Sequence, residues 1–382
     1  LLVDGAFDCT ANAVVLESTA TRTGRLGPVG TSASYLGNLR VDRHIPAGAT
    51  NWRMMGSPVA GRTVNDWKDD YYTAGFPGSH SPGFSNPVGS GILWPSIRWY
   101  NESHTGAGIN DGLVGATSTA QPLAIGQGFA AWCGTGLNTT TAFTVDVTGN
   151  PNIAQTAITL PMSYTSTGAP ATDGWNMVSN PLPSPIAFDL INRGADVADY
   201  ITYFNPANGN LATWDIGDGV GTNGGSNVIQ SSQAFWLKAT GPAVTTTVDE
   251  QDKVEGNTGG FFGGAQVQTA NMVRLRIESA INQYSDETVV LFSNGQPAFE
   301  GSDVPKFVFA HPEAPQIASL SDDGAPVAIN AYGPYSTQIS IPVKVDVALN
   351  GTYTIVVTGL QHIGLSCMRL EDLATGTSTP LT

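Results

Sequence analysis

The side chains best suited to ligand chemistry are aromatic rings in and around residues 68–95. This stretch is rich in Gly, Pro and Ser and has no helical or strand period, which indicates a long ordered loop. Aromatic faces on a β scaffold can stack on the C–H faces of sugar rings. We therefore predict a glycan platform; the alternative is that the same rings hold the loop on the core. Its residues would be Trp67, Tyr71, Tyr72, Trp94 and Trp99.

A second candidate site is the Gly-rich loop that spans residues 215–227. Asp215, Asp218 and Asn223 supply the oxygen donors that Ca²⁺ prefers. Their spacing lacks the EF-hand pattern, so a solvated loop without metal is the competing interpretation. No cofactor other than calcium is indicated by the sequence.

The sequence contains partial patterns for dinucleotide binding, glycoside hydrolysis and zinc binding, but the residues around them do not support these functions. Residues 219–224 spell GxGxxG, but a dinucleotide site needs a buried strand before it and a helix after it. The flanking residues here favour a Gly-rich β–β loop. Paired acids could hydrolyse glycosides, yet neither copy of the repeat described below keeps an acid beside its landmarks. The five histidines show no zinc spacing. We predict a non-enzymatic protein with no catalytic residues.

The charge and composition narrow the class of partner. The 382 residues carry 31 acids against 16 bases, a net charge of -15 with no basic cluster, so nucleic acid and anionic membranes would be repelled. Gly (45), Pro (24) and only 12% charged residues are typical of an all-β chain with many turns. The three cysteines are far apart in sequence, so no disulfide framework is expected.

One motif occurs twice, 123 residues apart. The copies read Trp-Arg-Met-Met-Gly-Ser-Pro (52–58) and Trp-Asn-Met-Val-Ser-Asn-Pro (175–181), followed by aromatic runs at 97–100 and 201–204 and by Gln-x-Phe segments at 127–129 and 233–235. Landmarks that recur in one order predict two copies of one folding unit. Trp52 and Trp175 are therefore expected to be equivalent core residues.

The strand and linker patterns predict an all-β fold with two related β-sandwich-like repeat units and a C-terminal β-sandwich or jelly roll. Strict alternation at 272–278 and 340–346 indicates strands in the last domain, and Asn350-Gly351 indicates a tight turn. Charge followed by glycine indicates a linker. The predicted segments are 1–40 (an N-terminal β segment continuing from upstream sequence), 41–157 (first repeat), 158–250 (second repeat), 251–265 (linker) and 266–382 (C-terminal sandwich).

The order of several C-terminal and repeat motifs resembles a known family. These motifs begin at Asp286 (Asp-Glu-Thr-Val-Val), Phe299 (Phe-Glu-Gly-Ser-Asp), Asn350 (Asn-Gly-Thr-Tyr-Thr), Leu370 (Leu-Glu-Asp-Leu-Ala) and, in the repeats, Val41 and Gly174. The sequence resembles the β-rich repeat and pre-sorting-domain regions of surface proteins that Bacteroidota export by the type IX system. The resemblance implies an extracellular or outer-surface location and transfers no catalytic residue.

These observations give two hypotheses for function. The first is a non-enzymatic structural or adhesive segment of a secreted cell-surface protein, as part of a fibre or surface layer. Its partners would be other copies of itself, other surface proteins or glycans. The alternative is a carbohydrate-binding accessory region of a larger secreted enzyme. An exposed aromatic row would favour the second hypothesis, and an unpaired edge strand would favour the first.

Overall fold

The fold is all-β, as predicted. A computed structural model describes residues 1, 3–106, 108–135, 139–255, 271–293, 295–307, 309–333, 339–364 and 367–381. The helices within these ranges are short 3₁₀ turns at Val64–Trp67, Ile109–Gly112, Phe188–Leu190, Glu250–Asp252 and Leu360–His362. In these same ranges, no helix has the length and apolar character needed to cross a membrane.

The described strands are numbered in chain order. The first group is β1 Ala6–Asp8, β2 Val14–Leu16, β3 Ser34–Leu36, β4 Leu39–Ile45, β5 Gly48–Ala49, β6 Asn51–Met55, β7 Arg62–Thr63, β8 Ile97–Tyr100, β9 Leu113–Gly115, β10 Pro122–Leu123, β11 Phe129–Cys133, β12 Thr139–Thr140 and β13 Phe143–Gly149. The second is β14 Ile158–Thr159, β15 Trp175–Ser179, β16 Ile186–Ala187, β17 Asn192–Arg193, β18 Val197–Asn205, β19 Asn210–Asp215, β20 Val220–Thr222, β21 Val228–Ile229, β22 Ala234–Ala239 and β23 Thr246–Val248. The third is β24 Met272–Ser279, β25 Ser285–Phe292, β26 Val304–Pro305, β27 Gln316–Leu320, β28 Pro326–Tyr332, β29 Val343–Asp346, β30 Tyr353–Thr358, β31 Arg369–Asp372 and β32 Thr377–Pro380.

The chain divides into two compact units. The N-terminal unit comprises Leu1–Pro206 and Ser226–Gly264, and the C-terminal unit comprises Ala207–Gly225 and Ala265–Thr382. Both predicted repeats therefore contribute to one unit. The predicted limits of the second repeat, 158–250, do not coincide with a unit, because residues 207–225 group with the C-terminal residues.

The first repeat is a two-layer arrangement around one core. One sheet has the order β6-β11-β8-β9, and the other has the order β13-β4-β2. Alternate residues of both sheets point into a shared apolar core, which includes Met55, Ile97 and Phe129 from the first sheet and Val41 and Val145 from the second. This is the sandwich-like packing that the sequence predicted.

The strand registers show that the two repeats are equivalent. In the first repeat β6 pairs with β11 and β11 with β8; in the second, β15 pairs with β22 and β22 with β18. The cross-strand pairs of the first repeat are Met55–Phe129, Trp52–Trp132 and Ile97–Ala131. Their counterparts in the second repeat, in the same order, are Val178–Phe235, Trp175–Lys238 and Ile201–Leu237. Register is fixed by which face is buried, so a repeated register means a repeated inward pattern.

The two repeats are joined through equivalent positions. Gly56 N donates to Ser232 O at 3.0 Å, and Ser179 N donates to Gly126 O at 2.8 Å. Gly56 and Ser179 are each the fifth residue of the repeated Trp motif, while Ser232 and Gly126 precede the repeated Gln. The isolated β-bridges are also reciprocal: Met55 with Gln233, and Val178 with Gln127. Such an exchange is the pattern of an approximate two-fold axis, which explains why both repeats belong to one compact unit.

The charged stretch predicted to begin a linker is packed into the N-terminal unit. Glu250 is buried and accepts hydrogen bonds from Val29 N at 2.7 Å and Ala154 N at 2.8 Å. Lys253 Nζ lies 2.6 Å from Glu250 Oε2, and both side chains are almost fully buried. Removing one member of a buried ion pair costs about 3–5 kcal/mol, so these residues anchor the segment. The predicted linker's remaining residues, 256–265, lie outside the described part of the chain.

The C-terminal unit contains a mixed sheet. Its described strands have the order β29-β27-β28-β25-β24-β30, with β26 beside β28 and with β25 parallel to β28. Alternating residues such as Leu275, Ile277 and Val290 build its core. The strand predicted at 272–278 corresponds to β24, and the one predicted at 340–346 corresponds to β29 over Val343–Asp346 alone. The tight-turn signal at Asn350-Gly351 does not connect a hairpin: β29 pairs with β27 and β30 pairs with β24, so these neighbours in sequence lie at opposite edges.

Buried polar contacts explain why residues 207–225 belong to this unit. Asn210 Nδ2 donates to Ser285 O at 2.9 Å and to Pro315 O at 3.0 Å. Arg274 Nη1 donates to Gly221 O at 2.7 Å and lies 2.7 Å from a Glu287 carboxylate oxygen. Buried polar groups need partners, and those of the 207–225 segment come from β25 and its neighbours.

Candidate functional site

The structure separates the predicted glycan platform into core and surface residues. Trp67, Tyr71 and Trp99 are at most 5% exposed and belong to the first repeat's core. They cannot present a face to a ligand, so this part of the prediction is wrong, and the alternative in which the rings fasten the loop applies to them. Tyr72 is 59% exposed, and its ring stacks on His80 with centroids 5.0 Å apart. Trp94 is half-buried at the surface.

Trp94 belongs to a surface cluster with two other tryptophans. Its ring centroid lies 5.5 Å from that of Trp52 and 5.7 Å from that of Trp132. The Trp52 and Trp132 centroids are 5.5 Å apart, and their planes are close to perpendicular at 80°. Phe84 packs edge-on against Trp94 at 6.0 Å. We call Trp52, Trp94, Trp132, Phe84 and the neighbouring Arg98 the tryptophan patch.

Strand register positions three members of the tryptophan patch on one face of a sheet. Trp52 on β6 is directly opposite Trp132 on β11. Arg98 on β8 is opposite Ala130, which is two residues from Trp132 and therefore points to the same side. The opposite face of these strands carries the core residues. The patch is thus held by a paired, half-buried sheet, which fixes the rings more firmly than a loop would.

Arg98 lies between two rings. Its Cζ is 5.3 Å from the Trp52 ring centroid and 5.1 Å from the Trp94 centroid, within cation–π range. Arg98 Nε donates to Pro95 O at 3.0 Å, which fixes the orientation of the guanidinium. Burial lowers the pKa of Arg98 from its ordinary value, but an arginine remains charged at any physiological pH. The patch therefore combines aromatic faces with one oriented positive charge.

Beside the tryptophan patch, residues 84–94 form an irregular hairpin with an apolar tip. Trp94 N donates to Phe84 O at 3.0 Å, and Asn86 N donates to Ile92 O at 3.2 Å. Val88 is 87% exposed and Ile92 is 67% exposed. A group of exposed apolar side chains beside tryptophans is typical of an interaction surface. The loop that the sequence predicted thus carries part of the candidate site.

The equivalent tryptophan of the second repeat is covered. Trp175 is 1% exposed, and its indole Nε1 donates to Ala171 O at 3.1 Å. Lys238, which occupies the position of Trp132, lies 5.3 Å from the Trp175 ring centroid and donates to Pro170 O at 2.9 Å. Residues 160–174 thus supply a cover where the first repeat has a short connection. The prediction that Trp52 is a core residue like Trp175 is wrong, because Trp52 has no such cover among the described residues and is half-buried.

Glu102 of the first repeat fastens that cover. Its buried carboxylate accepts hydrogen bonds from Thr165 N at 2.6 Å, Thr165 Oγ1 at 2.8 Å, Gly174 N at 3.1 Å and Ser163 Oγ at 3.1 Å. Four donors satisfy a buried carboxylate and oppose its desolvation. The cover over Trp175 in the second repeat is therefore held by a residue of the first repeat.

The predicted calcium ligands belong to two hydrogen-bond networks. Asp218 N donates to Asp215 Oδ2 at 2.8 Å, which is a local turn contact. Asn223 Nδ2 instead donates to Leu211 O and to Asp286 Oδ1, both at 2.8 Å. Across the described part of the chain, His, Cys, Asp and Glu side chains form no group of three or more suited to a metal ion. Calcium binding at Asp215, Asp218 and Asn223 stays a prediction.

Comparison of the chain with protein-family models, curated proteins and solved structures gives no match. The case for function therefore depends on the geometry of this chain. Trp52, Trp132 and Arg98 were absent from the predicted platform. The signal that could have found Trp52 and Trp132 is the repeat itself. Alignment of the two Gln-x-Phe segments equates Trp132 with Lys238, and in the structure these residues lie opposite Trp52 and Trp175.

Proposed function

We propose that this chain is a non-enzymatic structural or adhesive segment of a secreted cell-surface protein and that the tryptophan patch is its contact surface. The observation that carries the proposal is the surface group of three half-buried indole rings with Arg98, of which Trp52, Trp132 and Arg98 lie on a paired sheet. Tryptophan and arginine are the residues enriched where binding energy concentrates. The exposed apolar side chains beside them, Val88 and Ile92, extend the surface.

The extracellular location and export by a type IX system belong to this proposal. They are supported by the resemblance of motifs in the repeats and in the C-terminal unit, such as 174–184 and 286–290, to exported surface proteins. The net charge of -15 suits a protein that stays soluble outside the cell. Partners would be other copies of this chain, other surface proteins or glycans.

An edge of the C-terminal sheet favours self-association as one form of this function. Within the described residues β29 pairs with β27 alone, and Val345 on β29 is 41% exposed. An edge strand with exposed apolar side chains can add a strand from another chain. A fibre or surface layer would follow if copies joined in this way.

The second candidate function is a carbohydrate-binding accessory region of a larger enzyme. The half-buried surface rings of Trp52 and Trp94 favour it, because sugar rings stack on aromatic faces. The two candidates differ in what the patch contacts. A binding assay that offers several surfaces to one protein therefore separates them.

The test is adhesion of beads coated with the full 382-residue chain. Beads would flow over surfaces that carry the same chain, purified cell-surface proteins or polysaccharide gels, and the retained fraction would be measured. We expect retention on at least one surface and a loss of at least about tenfold in the double variant W52A/W132A, since each hot-spot residue contributes 1–2 kcal/mol or more. The control is W214A, which removes a half-buried tryptophan of the C-terminal unit.

We expect W52A/W132A to keep the circular dichroism spectrum of the wild type and to melt at a lower temperature, because both rings are half-buried and packed on Trp94. Equal retention of wild type and W52A/W132A beads on every surface would contradict the proposal. Retention on polysaccharide alone would favour the accessory-region candidate. Retention on the same chain would favour assembly.

A further inference from the structure

We propose that the tryptophan patch binds a carboxylate-bearing sugar, such as a uronic acid residue of a polysaccharide, and that Arg98 contacts the carboxylate. This inference rests on the proposed function, because it names the ligand of the same contact surface. Binding of such a sugar requires an oriented cation with free hydrogen-bond donors, aromatic ring faces for the sugar, and polar groups at the rim of those faces. The described residues around Arg98 supply all three.

Arg98 differs from most arginines of this chain. Seven others have a carboxylate oxygen within 4.0 Å, namely Arg25, Arg40, Arg62, Arg193, Arg274, Arg276 and Arg369. Within the described residues Arg98 has no such neighbour, although acids outnumber bases by 31 to 16. A chain with this excess of acids could easily pair a cation, so an unpaired guanidinium at a surface cluster points to an external anion.

The guanidinium is also oriented for recognition. Its Nε donates to Pro95 O, and its carbon lies over both the Trp52 and Trp94 rings. The terminal nitrogens Nη1 and Nη2 make no hydrogen bond to any described residue. A planar guanidinium fork binds a carboxylate through two parallel hydrogen bonds. Because the stem and the ring contacts fix the fork, little conformational entropy is lost on binding.

The local charge around Arg98 favours an anion despite the acidic protein. Burial is the cause that lowers the pKa of Arg98, and no carboxylate of the described ranges opposes this shift. At physiological ionic strength the Debye length is about 8 Å, so distant acids are screened. The positive charge of Arg98 therefore decides which ligands this small area attracts.

The rings favour a sugar over an acidic peptide. A pyranose presents C–H groups on its face and hydroxyl groups at its rim, and the negative face of an indole attracts the former. The indole N–H groups of Trp52 and Trp94 make no hydrogen bond to a described residue and are therefore available to hydroxyl oxygens. Ring faces, indole donors and one guanidinium match a pyranose that carries a carboxylate.

The test measures binding of the full chain to oligogalacturonate by calorimetry. The matched ligand is the methyl ester of the same oligosaccharide, which keeps the sugar and removes the negative charge. Protein variants are R98Q, R98K and W94A, with K238Q as the control because Lys238 is the cation over the buried Trp175 of the second repeat. Oligoglutamate offers carboxylates without a sugar ring.

We expect oligogalacturonate to bind, and the methyl ester to bind at least tenfold more weakly. R98Q should weaken binding at least tenfold, R98K should recover part of the loss, W94A should abolish binding, and K238Q should leave the affinity unchanged. Equal affinity for acid and ester, equal affinity for oligoglutamate, or no binding at all would overturn the inference. The bead assay on the same preparations separates the failures: retained adhesion that W52A/W132A removes would leave the proposed function standing without this ligand.

Discussion

The two repeats of the N-terminal unit share their strand register but differ in what covers the first tryptophan. Trp52 and Trp175 occupy the same position of equivalent strands. Trp175 lies under residues 160–174 and bonds to Ala171, whereas Trp52 faces the surface with Trp94 and Trp132. The comparison shows that a duplicated scaffold can keep one copy as a packed support and leave the other open. The difference arises in the connections, where insertions leave the sheet intact.

The cross-strand partner changes together with the cover. In the open repeat the partner of Trp52 is Trp132, a second ring that extends the surface. In the closed repeat the partner of Trp175 is Lys238, whose ammonium bonds to the cover at Pro170 O. Burial lowers the pKa of Lys238, and the nearby charge of Asp173 raises it in opposition. Lys238 of the closed repeat thus bonds to another segment of the protein, while Arg98 of the open repeat is oriented at the surface.

The largest expected effect is a difference in the free energy of unfolding between variants of Trp175 and Trp52. W175A should lower the free energy of unfolding by about 3–5 kcal/mol, the usual range for a buried Trp-to-Ala change. W52A should lower it by less, because less of its surface is removed from water on folding. Urea denaturation of both variants measures the difference. Equal losses would mean that the two sites are equally packed, contrary to the burial described above.

The next effect concerns the joint between the repeats. A Cβ at Gly56 would overlap the Cβ and Oγ of Ser179, its equivalent in the second repeat. We expect G56S to cost about 1–3 kcal/mol through overpacking. The double variant G56S/S179G exchanges the two residues and should recover most of the loss, since the space freed at one position admits the side chain at the other.

Denaturation of G56S, S179G and the double variant forms a double-mutant cycle. Strictly additive losses would show that positions 56 and 179 do not meet. A stable G56S variant would contradict the close approach of the two repeats at this point.

The remaining expected effect is a pH dependence in the first repeat. Asp70 lies in the segment that carries part of the tryptophan patch, and its Oδ2 accepts a hydrogen bond from Asp146 N at 2.8 Å. Burial raises the pKa of Asp70 to about 7, with smaller contributions from nearby acids and an opposing one from the bond to Asp146. Between the unfolded value of about 3.9 and about 7, the folded state binds more protons than the unfolded state. Stability should therefore fall as pH rises through this range.

D70N should weaken this pH dependence, because an amide keeps the acceptor oxygen and does not ionise. Burial also raises the pKa of Asp252, to about 6, so part of the slope should remain until D252N is added. The measurement is the free energy of unfolding between pH 4 and 8, with the exposed Asp4 (D4N) as control. An unchanged slope in D70N would contradict the assignment to Asp70.

Strand patterns were partly readable from the sequence. The alternation at 272–278 predicted β24, whose apolar residues lie in the core, and the alternation at 340–346 predicted β29, which spans only Val343–Asp346 and is mostly exposed. The repeated Trp and Gln-x-Phe motifs predicted two copies of one unit, and the observed registers agree. The sequence did not predict which strands pair with each other. Asn350-Gly351 has the composition of a hairpin turn, yet its flanking strands pair with other strands.

The sequence by itself determined the all-β class, the duplication and the presence of an aromatic group near residues 68–99. The tertiary structure decided which rings are core and which are surface. Trp52 and Trp175 stand in nearly the same local sequence, but only Trp175 lies under a cover that Glu102 holds from 72 residues away in the chain. Local pattern reports which face of a strand is apolar. Whether that face meets water depends on distant segments, whose positions are set by contacts that no local pattern encodes.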